Sequence, residues 1–228
     1  MAESKRPKEI ILTSPKGIAK WAKLTKPDTK YKVAGEYSIT LILDPEDAAT
    51  IEFVDSLKKA NAKGFAAAKK AEPKKKFTQE AIKVKPETRK IKDDKGEVVG
   101  EEETGKLAVS FNCKAAGTRK DGSKWAFRPA VMDAKGKPVP ADVLIYGGSV
   151  VKVAYSIRHT PMPTGLFYTS FNLKAVQVIV LKSQSDRDAA YYGFQEEEGY
   201  GSEAAAEGES YSPEDGSNGP APASGAEF

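Results

Sequence analysis

Alternation of apolar and polar positions predicts several strands in this chain. In EYSITLIL, at residues 36–43, Ile39 and Leu41 alternate with serine and threonine, which is typical of a half-buried strand. The same period of two runs through SVVKVAYSIR at residues 149–158 and LFYTSFNLKAVQVIVL at residues 166–181. Short strands separated by turns, with one helix inserted, predict a small closed or nearly closed β-barrel.

A helical pattern follows the first of these strands. Asp44 and Pro45 supply an N-cap and a proline suited to a first helical turn, so we predict a helix over residues 45–70. Ile51 and Leu57 belong to its apolar stripe. Its second half is rich in lysine, which fits either a solvated helix end or a direct nucleic-acid contact.

Two later segments are harder to interpret. The polar stretch at residues 77–105 is predicted to be a mobile excursion bounded by short strands. LAVSFNCKA at residues 107–115 and KWAFRPAVMDA at residues 124–134 are predicted to form a hairpin that closes at Asp121 and Gly122.

Charge divides the chain into two opposed parts. Residues 1–185 hold 35 Lys and Arg against 21 Asp and Glu, whereas residues 186–228 hold one Arg against 11 acids. The second part has too few aliphatic residues to offset the entropy of ordering. We therefore predict one cored domain over residues 1–185 and a disordered acidic tail over residues 186–228.

The two parts have complementary roles in this interpretation. A basic body attracts polyanions, and a detached acidic segment can compete for the same surface. The tail ends at Glu227 and Phe228, where a bulky aromatic beside the free carboxylate predicts a docking tip for a protein partner.

Few groups are available for catalysis. One cysteine, Cys113, and one histidine, His159, cannot build a Cys/His zinc cluster, and the commonest phosphate-binding glycine loops do not occur. Asp44, Asp133 and Asp142 lie in turn or cap contexts, so a carboxylate-dependent nuclease is the weakest hypothesis. We expect neither a catalytic site nor a metal or cofactor.

A polar N-terminus and the lack of a long apolar run predict a cytosolic protein.

Aromatic residues among cations are the best candidates for a binding surface. Every base offers a face for stacking and every phosphate attracts a cation, so this mixture is typical of single-stranded nucleic-acid binding. The parity of the last strand places Tyr168 with its polar residues, which favours it over Phe171. Core packing is the alternative for each aromatic, and the sequence does not decide the role of Trp21. The candidate nucleic-acid-binding residues are Trp125, Phe127, Tyr168, Lys124, Arg128, Lys152, Arg158 and Lys174.

Three stretches resemble the single-stranded DNA-binding replication protein of short-tailed, T-seven-like bacteriophages. They are IILTSPKGIAKWAKLTKPD at residues 10–28, EYSITLILDP at residues 36–45 and VMDAKGKPVPADVLIYGGSVVKVAYSI at residues 131–157. The third is the most specific. The helix after the second stretch, the acidic tail and the terminal phenylalanine also agree in order.

The resemblance implies an OB-fold, a five-stranded Greek-key barrel, that binds single-stranded DNA with little sequence preference and dimerises. It also implies that the tail contacts the phage DNA polymerase and helicase-primase, with Phe228 carrying that contact, in the cytoplasm of the infected bacterial host. This tail is less densely acidic than the family's, so its competition with DNA is expected to be weaker.

The sequence therefore predicts a non-enzymatic single-stranded DNA-binding protein of phage replication and recombination. It coats and protects single strands and recruits replication enzymes through its tail. The main alternative is a protein-interaction adaptor with a basic body and a solubilising tail. Coating and strand annealing cannot be separated at this level.

Overall fold

Eleven strands and one helix make up the part of the chain that the computed structural model describes, residues 9–30, 32–93 and 96–182. The tail hypotheses, including those on Glu227 and Phe228, concern residues outside this part. The elements in chain order are β1 Leu12–Thr13, β2 Gly17–Asp28, β3 Glu36–Leu43, α1 Ala48–Ala71, β4 Thr78–Gln79, β5 Val84–Lys92, β6 Val98–Lys114, β7 Ala116–Thr118, β8 Lys124–Ala126, β9 Ala130–Met132, β10 Val150–Pro161 and β11 Leu166–Val180.

Five of these strands close into a ring. The order is β2, β3, β6, β11, β10 and back to β2, with antiparallel pairing at every step except between β6 and β11. That parallel junction is a single pair, Asn112 with Asn172. A five-stranded, partly open Greek-key barrel with this order is an OB-fold, which confirms the predicted fold class.

The barrel interior follows the predicted alternation. Four aromatic rings meet there: the centroid of Tyr155 lies 6.0 Å from Phe53, 5.2 Å from Phe111 and 5.9 Å from Phe171. Edge-on and tilted pairs at this spacing are favourable beyond the area that they bury. A core aromatic of this kind typically stabilises a fold by about 3–5 kcal/mol relative to alanine.

The helix begins three residues later than its predicted start. Asp47 is the N-cap, since its carboxylate accepts a hydrogen bond from the Ala49 N–H at 3.2 Å. Asp44 instead accepts from the Glu46 N–H at 2.9 Å and closes a turn before the helix. The apolar stripe is also narrower than predicted, because Ile51 is 53% exposed.

Within the described residues no helix is both long and apolar enough to cross a bilayer.

The polar excursion predicted at residues 77–105 is largely a β-hairpin. β5 pairs with the first half of β6, and opposite charges face each other across the two strands, as at Lys90 and Glu101. Such pairs stabilise strands that have little apolar surface. High polarity there reflects exposure on both faces rather than the lack of strand structure.

The predicted hairpin over residues 107–134 is correct only at its tip. Residues 107–114 belong to β6 and pair with β3, while β7 and β8 form a separate small sheet. The tip at Asp121 and Gly122 is confirmed, because Gly122 has φ +83° and Asp121 accepts from the Ser123 N–H at 2.9 Å. Pro129 separates β8 from β9, since proline cannot donate a ladder hydrogen bond.

Candidate nucleic-acid interface

A groove of about 760 Å³ runs between the β7–β8 hairpin and the outer face of the barrel. Its floor is built from the end of β6 and the middle of β11, with Cys113 and Asn172, and its wall is the hairpin. We call this surface the hairpin groove. Four of the sequence-predicted binding residues line it, namely Trp125, Phe127, Arg158 and Lys174.

Trp125 is held against the backbone of the opposite strand. Gly117 is its cross-strand partner, and a Cβ atom at Gly117 would lie 2.8 Å from the indole ring. The ring can approach this closely only because glycine has no side chain. One part of the indole is thereby fixed, and another part lines the groove.

Phe127 lies just beyond the end of β8. Its N–H donates to the Ala115 carbonyl at 2.8 Å, which ties the chain after the hairpin to the end of β6. The ring is 36% exposed, and the Lys174 Nζ lies 6.0 Å from its centroid. A cation therefore lies over the face of a partly exposed aromatic ring.

Lys174 also contacts an acid from the N-terminal segment. Its Nζ lies 2.6 Å from one oxygen of Glu9, and the Ser156 hydroxyl donates to the other oxygen at 2.6 Å. Hydrogen bonds from Lys174 and then Ser156 hold the pKa of Glu9 below its usual range. The ionised Glu9 carboxylate therefore neutralises part of the charge of Lys174.

Three further cations line the hairpin groove but were missed by sequence reasoning. They are Lys114, Arg119 and Lys120, which lie at the end of β6 and in the turn between β7 and β8. The turn sequence TRKDGS contained two of them, but nothing local indicated that this turn folds back toward β11.

The other predicted residues are placed away from the groove lining. Arg128 donates to the Ala141 carbonyl at 2.9 Å, and Lys124 is exposed on β8. Lys152 pairs with Gln177 on the outer surface. Tyr168 is 38% exposed on the outer face of β11, four residues or about 13 Å from Asn172 along the strand.

Cys113 forms part of the groove floor and is 6% exposed. Burial raises the pKa of its thiol to about 11. A thiol in this state is largely protonated near neutral pH and is a poor nucleophile.

His159 lies in β10, near the end of the strand. Its Nδ1 is 3.0 Å from the Thr169 hydroxyl, which donates to Asn61 of α1 at 2.6 Å. Its ring also stacks on Phe167, with centroids 5.6 Å apart. Burial lowers the pKa of His159, so its imidazole is largely neutral near pH 7. Through Thr169 and Asn61, the residue connects β10 to α1.

Asp133 has the turn role that its sequence context predicted, whereas Asp44 closes a turn and is not the predicted helix cap. Asp44 closes the turn before α1, and Asp133 accepts from the Lys135 and Lys137 N–H groups at 2.9 and 2.8 Å. Across the described ranges, no three His, Cys, Asp or Glu side chains gather into a potential metal site.

An OB barrel with aromatic rings and cations along an outer groove defines a class of protein, the single-stranded nucleic-acid-binding OB-folds. The family model of the single-stranded DNA-binding protein of bacteriophage T7 matches residues 16–170. The chain belongs to this family.

A solved structure supports the fold. The crystal structure of gp2.5, a single-stranded DNA-binding protein encoded by bacteriophage T7, is 24% identical over 85% of this chain and 98% of that one, with a TM-score of 0.61. The single-stranded DNA-binding protein of bacteriophage Enc34 in complex with single-stranded DNA is 16% identical over 76% and 88%, with a TM-score of 0.49. Comparison with curated proteins gives no match.

Proposed function

We propose that this protein binds single-stranded DNA without sequence preference during phage replication and recombination, in the cytoplasm of the infected bacterium. It coats and protects the exposed strand. Family membership supports this function, and the observation that carries it is the hairpin groove, where Trp125 and Phe127 lie beside Lys174 and Arg158.

In this proposal the groove separates two tasks. The rings of Trp125 and Phe127 stack on bases, and each stacked base contributes about 1–3 kcal/mol whatever its identity. The cations contact phosphates and release counterions, which makes the affinity depend on salt. Neither task uses a base edge, so sequence preference is expected to be weak.

The acidic tail has a separate role in the proposal. Residues 186–228 recruit the phage DNA polymerase and helicase-primase, with Glu227 and Phe228 at the contact, and compete with DNA for the basic groove. The 11 acids of this segment and its terminal aromatic support this role. The protein acts as a homodimer in the same proposal, which rests on the resemblance to the phage family.

Fluorescence anisotropy with labelled single-stranded and duplex oligonucleotides, at low and high salt, tests the binding function. We expect preference for the single strand and a salt slope of about −0.7 per phosphate contact. Failure to bind either oligonucleotide at low salt would contradict the proposal and favour the adaptor.

A chain that ends at Ser185 tests the tail. It should bind single strands as tightly as the full-length protein or more tightly, while its stimulation of the polymerase or helicase is lost. Loss of DNA binding on truncation would show that the tail contributes to the groove instead of competing with it.

A further inference from the structure

Trp21 lies at a break in the pairing of β2 with β3. Lys20 pairs with Thr40 and Lys23 pairs with Ser38, so three steps on β2 correspond to two on β3. This is a β-bulge, and Trp21 adopts φ +53°, a left-handed conformation that a bulky residue rarely takes. The bulge turns the indole outward, where it is 69% exposed. Strained backbone of this kind is concentrated at functional sites.

Two shallow grooves meet at this indole. One has a volume of about 480 Å³ and the other about 400 Å³, and Trp21, Lys83 and Ser110 line both. The Nζ of Lys20 lies 4.6 Å from the centroid of the Trp21 ring. The same Nζ pairs with Glu87 at 2.5 Å, as the Nζ of Lys174 pairs with Glu9 in the hairpin groove. An exposed aromatic ring beside a paired lysine therefore repeats the chemistry of the hairpin groove at a separate position.

A row of polar side chains connects the two aromatic positions. Lys23, Ser38, Asn112 and Asn172 are successive cross-strand neighbours on β2, β3, β6 and β11. Asn112 lines a groove beside Trp21, and Asn172 lines the hairpin groove. Neighbouring strands are about 4.8 Å apart, so the row spans about 14 Å across the strands.

We propose that Trp21 is a second base-stacking platform and that single-stranded DNA crosses the barrel along this polar row, from the hairpin groove to Trp21. The inference rests on the proposed function and extends it. A single strand is the favoured occupant because aromatic faces, lysines and uncharged hydrogen-bonding groups follow one another along this surface. Two acids, Glu36 and Glu87, also line the grooves at Trp21, and each accepts a hydrogen bond from a neighbouring side chain, Asn112 and Lys20 respectively. A strand several nucleotides long engages both platforms, whereas a very short one reaches only one of them.

The chain has two tryptophans, so each platform can be observed separately by fluorescence. In full-length Trp125→Phe, Trp21 is the remaining tryptophan, and in Trp21→Phe it is Trp125. The probes are a thymidine dinucleotide, which is too short to span the row, and an oligothymidylate of about 12 nucleotides, a length within the range of OB-fold sites. We expect the longer probe to quench both tryptophans and the shorter one to quench Trp21 much less in the Trp125→Phe protein.

Affinity provides the second readout. Trp21→Ala should weaken binding of the longer probe by about 5- to 150-fold, the loss of one stacked base, and have a smaller effect on the shorter probe. The matched control is Ile51→Ala, which removes an exposed apolar side chain from α1. It should leave both affinities unchanged.

Trp21→Gly separates a binding role from a structural one. Glycine tolerates the positive φ, so the melting temperature should equal or exceed that of Trp21→Phe, while the affinity for the longer probe falls as in Trp21→Ala. If Trp21→Gly unfolds the protein, Trp21 is structural and the inference is overturned.

The outcomes distinguish this inference from the function on which it rests. If Trp125 is quenched and the protein binds, but Trp21 emission and Trp21→Ala affinity do not change, the second platform is wrong and the proposed function stands. If neither tryptophan responds and neither probe binds, both are wrong.

Discussion

Two β-hairpins extend from the barrel, and their charged residues are arranged differently. In the hairpin of β5 and the first half of β6, cations meet acids of the same hairpin, as where Arg89 lies 3.2 Å from Glu102. In the β7–β8 hairpin, Arg119 and Lys120 line a groove together with Trp125. Charge content alone therefore does not mark a binding surface. The position of the charges does, because Arg119 and Lys120 lie beside an aromatic ring, whereas Arg89 and Glu102 face each other across two strands.

The largest difference between the hairpins is expected from their apolar side chains. Replacing both Trp125 and Phe127 with alanine should weaken single-strand binding by about 30-fold or more, since two stacked bases are lost. The control is Ile91→Ala on β5, where the side chain is 43% exposed. Anisotropy titration of both proteins, with melting temperatures as a check on folding, measures the effect. Equal losses in the two variants would remove the distinction between the hairpins.

Thiol chemistry gives a second comparison. Because the pKa of Cys113 is raised to about 11, it should react with a disulfide reagent at pH 8 about 100-fold more slowly than an ordinary exposed thiol. Thr88→Cys in a Cys113→Ser background places an exposed thiol on β5 and should react at the ordinary rate. Rapid labelling of Cys113 in the folded protein would show that the groove floor opens.

The third prediction compares one cation from each region. Lys174→Gln should weaken binding several-fold and reduce the magnitude of the salt slope by about 0.7, the value for one phosphate contact on a single strand. Arg89→Gln removes a paired cation from β5 and should leave the slope unchanged. A slope unaffected by Lys174→Gln would mean that this lysine does not contact phosphate.

The smallest effect is expected at Glu9. Glu9→Gln removes the carboxylate that pairs with Lys174 and should tighten binding by less than about tenfold, because exposed ion pairs are weak. The pKa of Glu9 is lowered in the folded protein, so the contribution of the pair to stability is present above the ordinary carboxyl pKa. It is lost as the pH falls through the lowered pKa.

Titrations of the wild type and Glu9→Gln at decreasing pH check this assignment. The two affinities should converge once Glu9 is protonated. A constant ratio across that range would show that Glu9 does not compete with DNA.

The sequence predicted the parts of the fold whose cause is local. Alternation predicted β3, β10 and β11, and the barrel followed from their number and spacing. β5 escaped prediction because its exposed faces replace apolar alternation with charge pairing to β6. Asp44 was predicted to be the helix cap because a proline follows it, as at many helix starts. In the structure Asp47 is the N-cap of α1.

The candidate site was predictable to a similar extent. Trp125, Phe127 and Lys174 were found because aromatic and basic residues adjoin in sequence. Lys114 and Arg119 were missed because their position depends on where the β7–β8 hairpin folds. Trp21 was undecided because its outward direction results from a register shift between β2 and β3, which no local pattern shows.

Gly117 gives the groove an evolutionary constraint. Glycine has no side chain that could contact DNA, and a change of Gly117 to alanine would be considered a conservative substitution. Yet any side chain there would displace the Trp125 indole, since a Cβ would come within 2.8 Å of the ring. We therefore expect the two positions to vary together: relatives that retain the tryptophan should retain the glycine, and those that lose the tryptophan should be free to vary at both.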